Sequence, residues 1–223
     1  KQSSSFAISS FITLFAIYLV QLFVSKNTNL THLGYYIAGF AILNTYVSIV
    51  FTIMGMDYFP RLTKIKDDVS AVNTEVNHQF FIGMLLLMPI LVFLLLAAPW
   101  VIKILYSDEF LPTLLYVYFA SIGVLFKLFS WTVGFVIITK GSNKLILFNA
   151  IIYNSLFVVL HILGFYLNGL KGIAIASSIY YLCHLLGNYF ISYKRFGTRM
   201  QSRNIKLFSL FVIVLAFSVF VST

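Results

Sequence analysis

The sequence predicts an all-α, polytopic transmembrane bundle, and three observations predict it. Hydrophobic residues make up 61% of the 223-residue chain and charged residues 9%, against about 45–50% and 25% in a soluble domain. The apolar residues gather into charge-poor stretches of spanning length, since a helix rises about 1.5 Å per residue and a bilayer core needs roughly 20 of them. The basic residues are unevenly shared between the connections. With the N-terminus placed in the cytoplasm, the cytoplasmic segments hold eleven of the fifteen Lys and Arg and the outer segments three, a positive-inside distribution. That asymmetry orients the chain, and the net charge of +9 needs no nucleic-acid partner. The stretches are too continuously apolar for barrel strands, which alternate.

The expected core is six spans, at 6–24, 33–56, 80–100, 111–139, 145–167 and 173–193, with a seventh at 205–221. As domains, this gives a six-helix bundle over 1–193, a basic cytoplasmic linker over 194–204 and an additional transmembrane helix over 205–223. No initiator Met or cleavable leader precedes the first span, so the chain is expected to be part of a longer protein.

The first span carries Gln21 near its outer end and leads to a polar loop with the acceptor-like triplet Asn29-Leu30-Thr31. The second has a stripe of small residues at helical spacing: Gly34, Ala38, Ala41, Thr45, Ser48, Thr52 and Gly55. Such a stripe lets helix backbones approach closely or lines a cavity, and Thr45 and Ser48 are candidates for the second role. Asp57 and Arg61 stand four apart at its cytoplasmic end as an interfacial pair, with Pro60 between them placed to end the helix. The polar stretch 61–79 suits a short surface helix leading into the third span. Pro89 is expected to kink that span and Pro99 to end it, while Pro112 takes the favoured first-turn position of the fourth.

The fourth span holds Lys127 near its middle. A lysine near the bilayer centre costs about 2.5–3.5 kcal/mol even on the lenient insertion scale, so it faces protein or water rather than lipid. Tyr116, Ala120, Gly123, Lys127, Ser130 and Gly134 share one face, small and polar, and the opposite face is apolar. A lysine in such a stripe points to a hydrated cavity that attracts an anion, or to pairing with a carboxylate elsewhere. In the fifth span Asn154 and His161 lie seven apart on one face, and in the sixth Ser177, Tyr181, His184 and Asn188 share one. Membrane histidines contact substrate, relay protons or bond neighbouring helices, and His161 is carried as a candidate. Gly172 and Ala176 form a small-xxx-small packing pair.

No phosphate-cradling glycine loop, His-Glu-x-x-His or nucleophile elbow is present, and no intramembrane carboxylate pair exists for acid–base work. Cys183, the only cysteine, reads as a buried thiol. No enzymatic activity, cofactor or metal is expected.

Several ordered landmarks carry a family resemblance. Gly34 and Tyr36 open the second span, Tyr46 lies within it, and Phe59-Pro60-x-Leu62-Thr63 closes it. Ser107-x-x-Phe110 precedes the fourth span, Gly123-x-x-x-Lys127 lies inside it, and Gly134 through Lys140 ends it. In this order the sequence resembles the C-terminal half of the O-antigen and lipid III flippases, the polysaccharide transporter branch of the superfamily that includes the multidrug exporters. The resemblance implies two six-helix halves around a cationic cavity that alternates between membrane faces, with undecaprenyl-pyrophosphate-linked oligosaccharide as substrate. It further implies a bacterial cytoplasmic membrane location, membrane lipids as surroundings, and a polysaccharide polymerase and chain-length regulator as partners. By this match Lys127 is a cavity cation. Asn44 stands where some relatives carry an aspartate, removing the titratable group that proton coupling there would use, and the seventh span lies beyond the twelve-helix core. Lys127, Gly123, Ser130, Asn44, Thr45, Ser48 and His161 form the expected substrate-binding set. A drug or cation antiporter of the same superfamily is the first alternative, disfavoured by the cation and the lack of an intramembrane carboxylate. A membrane-embedded polysaccharide polymerase is the second, disfavoured by the short outer loops.

Overall fold

The computed structural model describes residues 2–222, and the side chains of all of these except 2, 3, 45, 46 and 222. The chain is a bundle of helices: α1 (Gln2–Asn27), α2 (Leu30–Ala41), α3 (Ser48–Lys64), α4 (Val69–Leu105), α5 (Leu114–Lys140), α6 (Asn143–Phe196) and α7 (Ser202–Ser222). A π-turn over Ile42–Tyr46 joins α2 to α3 in one continuous run, and a 3-10 turn over Asp108–Thr113 leads into α5. Among the described residues there is no strand. Six helical runs among the described residues are long and apolar enough to cross a membrane.

One of these crosses twice. The 54 residues of α6 would extend about 80 Å if straight, far beyond a bilayer core of about 30 Å. The helix is broken at Asn168 (φ −156°, ψ 35°) and Gly169 (φ 52°, ψ −133°), the latter a conformation that only glycine adopts without strain. His161 meets Ser177, Asn149 meets Asn188, and Gly164 packs on Gly172, each pair centred within two residues of the break. The arms 143–167 and 170–196 are therefore an antiparallel hairpin. Gly164 and Gly172 make the close approach possible, because a Cβ on either would run into the other's carbonyl. With α6 doubled, the described residues hold seven helical segments of spanning length.

The polar stretch after α3 is not a separate surface helix. The α3 helix runs through Pro60 to Lys64, and α4 starts after only four intervening residues, capped by Asp68 Oδ1 accepting from Ser70 and Ala71 N–H. At 37 residues α4 is about 55 Å long, so its first turns project past the apolar core and carry the polar residues there. It also continues to Leu105 through Pro99, where the sequence placed its end. Proline is tolerated inside membrane helices because neighbouring groups satisfy the carbonyl it frees.

The projecting end of α4 grips the segment between α6 and α7. Asn73 bonds Gly197 O (3.1 Å) and accepts from Arg199 N–H (2.8 Å). Asn77 bonds Arg199 O (2.8 Å) and accepts from Gln201 N–H (2.7 Å) and Asn204 Nδ2 (3.1 Å). Beyond this clasp α7 lies on α4 and α5, with Phe208 against Phe80 and Phe129 and with Leu215 and Val219 buried. At the same end of the bundle Arg61 pairs with Asp57 (3.1 Å) and Glu75 (3.0 Å) and bonds Gln79 (2.9 Å), tying α3 to α4. Arg61, Lys64, Lys66, Lys140, Lys144, Lys194, Arg195, Arg199, Arg203 and Lys206 all belong to this basic face. Lys26, Lys103 and Lys171 lie at the opposite one.

Candidate functional site

Lys127 is carried by the middle of α5, a helix of mostly apolar residues, yet its ammonium is received by polar groups. Nζ donates to Ser48 Oγ (3.1 Å) and Asn44 Oδ1 (3.3 Å). The ring faces of Phe51 and Tyr181 lie 5.3 and 5.5 Å away, within cation–π range. An ammonium has three donors, and among the described residues only these two acceptors meet it. No carboxylate among them forms an ion pair with it; the pairs present involve Arg61 and Lys103. Its charge is thus solvated by neutral groups and left uncompensated.

The local fold explains how those groups reach it. Asn44 lies within the π-turn, whose wider winding interrupts the α2–α3 run, a feature frequent at functional sites. Its carbonyl also accepts from Tyr181 OH (3.1 Å), so one amide oxygen holds α5 and the second arm of α6 together. Gly123, one turn before Lys127, is the packing point behind this. Its N–H donates to Ser178 Oγ (2.9 Å), and an added Cβ would come within 2.9 Å of Ser178 Cα. Gly123 therefore supports the site by seating the helix that carries Tyr181, and is not among the groups that meet the Lys127 ammonium.

Ser130, one turn after Lys127, belongs to an adjoining network. Its Oγ lies 2.6 Å from His184 Nδ1 and accepts from Asn188 Nδ2 (3.1 Å), and Asn188 Oδ1 accepts from Asn149 Nδ2 (3.3 Å). These residues wall a cavity of about 310 Å³ between α1, α5 and both arms of α6. A second depression, of about 440 Å³, runs between α3 and α5 from Ser48 and Phe51 toward Phe59 on the basic face. Trp131 and Phe135 border both. A third cavity, of about 590 Å³, lies at the opposite face beside His32 and Lys171, away from Lys127.

The structure thus brings Lys127, Asn44 and Ser48 into direct contact and sets Gly123 and Ser130 one turn to either side. The side chain of Thr45 lies outside the described residues. His161 is placed elsewhere. It is fully buried, with Nδ1 2.7 Å from Phe157 O and Nε2 2.9 Å from Ser177 Oγ, which Tyr116 OH also meets at 3.1 Å. Both ring nitrogens are thus occupied within the α6 hairpin, one on its own arm and one across to Ser177, which in turn meets Tyr116 of α5. Tyr181 and Phe51 were not singled out as contacts of Lys127 by sequence; Tyr181 sat on a recognised polar face, whereas Phe51 carried no signal. No cluster of potential metal ligands occurs among the described residues.

A family described as polysaccharide biosynthesis protein matches residues 1–115 of the chain. No match is found among curated proteins or solved structures.

Proposed function

The chain belongs to the polysaccharide biosynthesis protein family, and from that premise we propose that this multi-pass membrane protein is a flippase for undecaprenyl-pyrophosphate-linked oligosaccharide. The observation that carries the proposal is the uncompensated ammonium of Lys127, held by Asn44 and Ser48 with no carboxylate partner. In a low-dielectric setting a cation without a counter-charge favours an anion strongly, and a pyrophosphate supplies one. The α3–α5 groove, ending on Ser48 and Phe51, gives the headgroup a route from the basic face, while the polyprenyl tail stays in lipid. Release follows when the bundle opens to the other face, as in alternating access. In this reading the protein moves its substrate and makes or breaks no bond in it. The basic face is cytoplasmic, in the bacterial inner membrane.

The test is translocation in proteoliposomes. A fluorescent lipid-linked oligosaccharide bearing pyrophosphate should cross faster than the protein-free rate, and the same lipid with a neutral linkage should not. Equal transport of both lipids would refute the role given to Lys127.

A further inference from the structure

The cavity between α1, α5 and the arms of α6 differs in kind from the Lys127 site, for none of its lining residues is Asp, Glu, Lys or Arg. Its volume of about 310 Å³ lies at the lower end of the roughly 300–1,000 Å³ typical of small-molecule sites. Part of its polar wall is fixed in place, through the Ser130–His184–Asn188–Asn149 network. Part is unsatisfied. Asn149 and Asn154 each use the side-chain N–H₂ group, toward Asn188 on the one hand and toward Thr13 Oγ1 (3.2 Å) and Ala150 O (2.7 Å) on the other. Among the described residues neither amide oxygen has a donor, and the Ser9 hydroxyl on the same wall has no partner. Polar groups within a membrane span are costly unless something meets them.

Beside these groups stand the aromatic side chains of Trp131, Tyr180 and Phe135. Oriented amides and hydroxyls next to aromatic surface, with no ionic group, suit the hydroxyls and C–H faces of a sugar ring. An ion finds no counter-charge there. Trp131 and Phe135 also wall the groove that ends on the Lys127 partners Ser48 and Phe51, so a headgroup can place phosphate on one side of the indole and a sugar on the other. We propose that this cavity is a subsite for an uncharged sugar next to the anionic group. This rests on the reading of Lys127 as the headgroup cation.

The chain has two tryptophans, so Trp100→Phe leaves Trp131 as the reporter within it. In nanodiscs, Trp131 fluorescence is titrated with farnesyl pyrophosphate and with farnesyl pyrophosphoryl-N-acetylglucosamine. The sugar-bearing lipid should bind at least tenfold more tightly. Asn149→Leu and Asn154→Leu should each remove most of that gain and leave farnesyl pyrophosphate binding unchanged, which also shows that the variants are folded. Replacing the sugar by glucuronic acid should weaken binding at least tenfold. Equal affinity for the two lipids, or leucine variants that keep the full gain, overturns the subsite. Failure of farnesyl pyrophosphate to bind the parent, or undiminished binding to Lys127→Met, overturns the Lys127 reading instead. In that case methyl N-acetylglucosaminide decides the sugar site alone: binding weakened by Asn149→Leu supports it, and no binding removes it.

Discussion

Two glycines on the same helix should answer the same substitution in opposite ways. In Gly123→Ala the new methyl would lie 2.9 Å from Ser178 Cα, 3.1 Å from its Oγ and 3.2 Å from the Tyr181 ring. Carbon atoms rest at about 3.5–4.0 Å, and a backbone atom cannot swing aside, so the second arm of α6 must retreat by about 0.6–1.1 Å. That stretches the Gly123 N–H to Ser178 Oγ bond from 2.9 Å past hydrogen-bonding range and draws Tyr181 from Asn44. Overpacking costs about 1–3 kcal/mol and the lost bond about 1. Alanine's helix propensity returns at most about 1 kcal/mol. The net is about 1–3 kcal/mol of destabilisation. At Gly134 the nearest atom to an added Cβ is Asn188 Nδ2 at 3.5 Å, an ordinary contact, so Gly134→Ala should be neutral or stabilising by up to about 1 kcal/mol. Thermal unfolding of both variants in one detergent, followed by tryptophan fluorescence, measures the difference. Equal midpoints, or a greater loss at Gly134, would refute the packing argument.

Other predictions concern topology and the two devices that shape the bundle. With Cys183 replaced, cysteines at Ser70, Ser142 and Ser202 should react with an impermeant thiol reagent only after the cytoplasmic side is opened, and those at Thr28 and Ser107 from outside; the reverse pattern would invert the assigned orientation. Asn77→Ala removes the side chain that meets Arg199 O, Gln201 N–H and Asn204. Losing these bonds should cost about 2–3 kcal/mol locally, seen as tryptic cleavage at Arg199 faster by about 30-fold or more if opening is at equilibrium. Gly169→Ala forces a Cβ onto φ 52°, ψ −133° with no steric neighbour to blame. It should cost on the order of 1–3 kcal/mol of thermal stability, and an unchanged midpoint would contradict the reversal at that residue.

Much of the bundle was legible in the sequence because hydropathy and length are local. The separate stretches 145–167 and 173–193 were read as two spans, and the structure breaks α6 between them at Asn168 and Gly169. The helix ends at Pro60 and Pro99 were misplaced, since a proline's effect depends on which neighbours satisfy the freed carbonyl, and no local pattern reports that. The Asn73–Asn77 clasp was invisible for a related reason: it joins residues more than 120 positions apart. At the site, helical spacing grouped Lys127 with Gly123 and Ser130 on one face of α5. It could not separate a glycine that lines a cavity from one that admits another helix, which is what Gly123 does. The π-turn that presents Asn44 has no composition signal of its own. His161 looked available because spacing shows a face, and only packing shows that Phe157 and Ser177 already occupy its nitrogens.

The central claim is that Lys127 awaits an anion and does not balance a buried carboxylate, and one paired measurement tests it most directly. Membrane abundance and surface polysaccharide are measured together for Lys127→Met in a flippase-deficient strain. Methionine keeps much of the stem and removes the charge. With no carboxylate beside Lys127, that loss relieves a desolvation cost and strands no charged partner. The protein should accumulate normally while surface polysaccharide disappears, and Lys127→Arg, which keeps the charge in a broader shape, should restore part of it. Stranding a buried partner would instead cost about 3–5 kcal/mol. A methionine variant lost from the membrane, or one that sustains normal polysaccharide, would contradict the account.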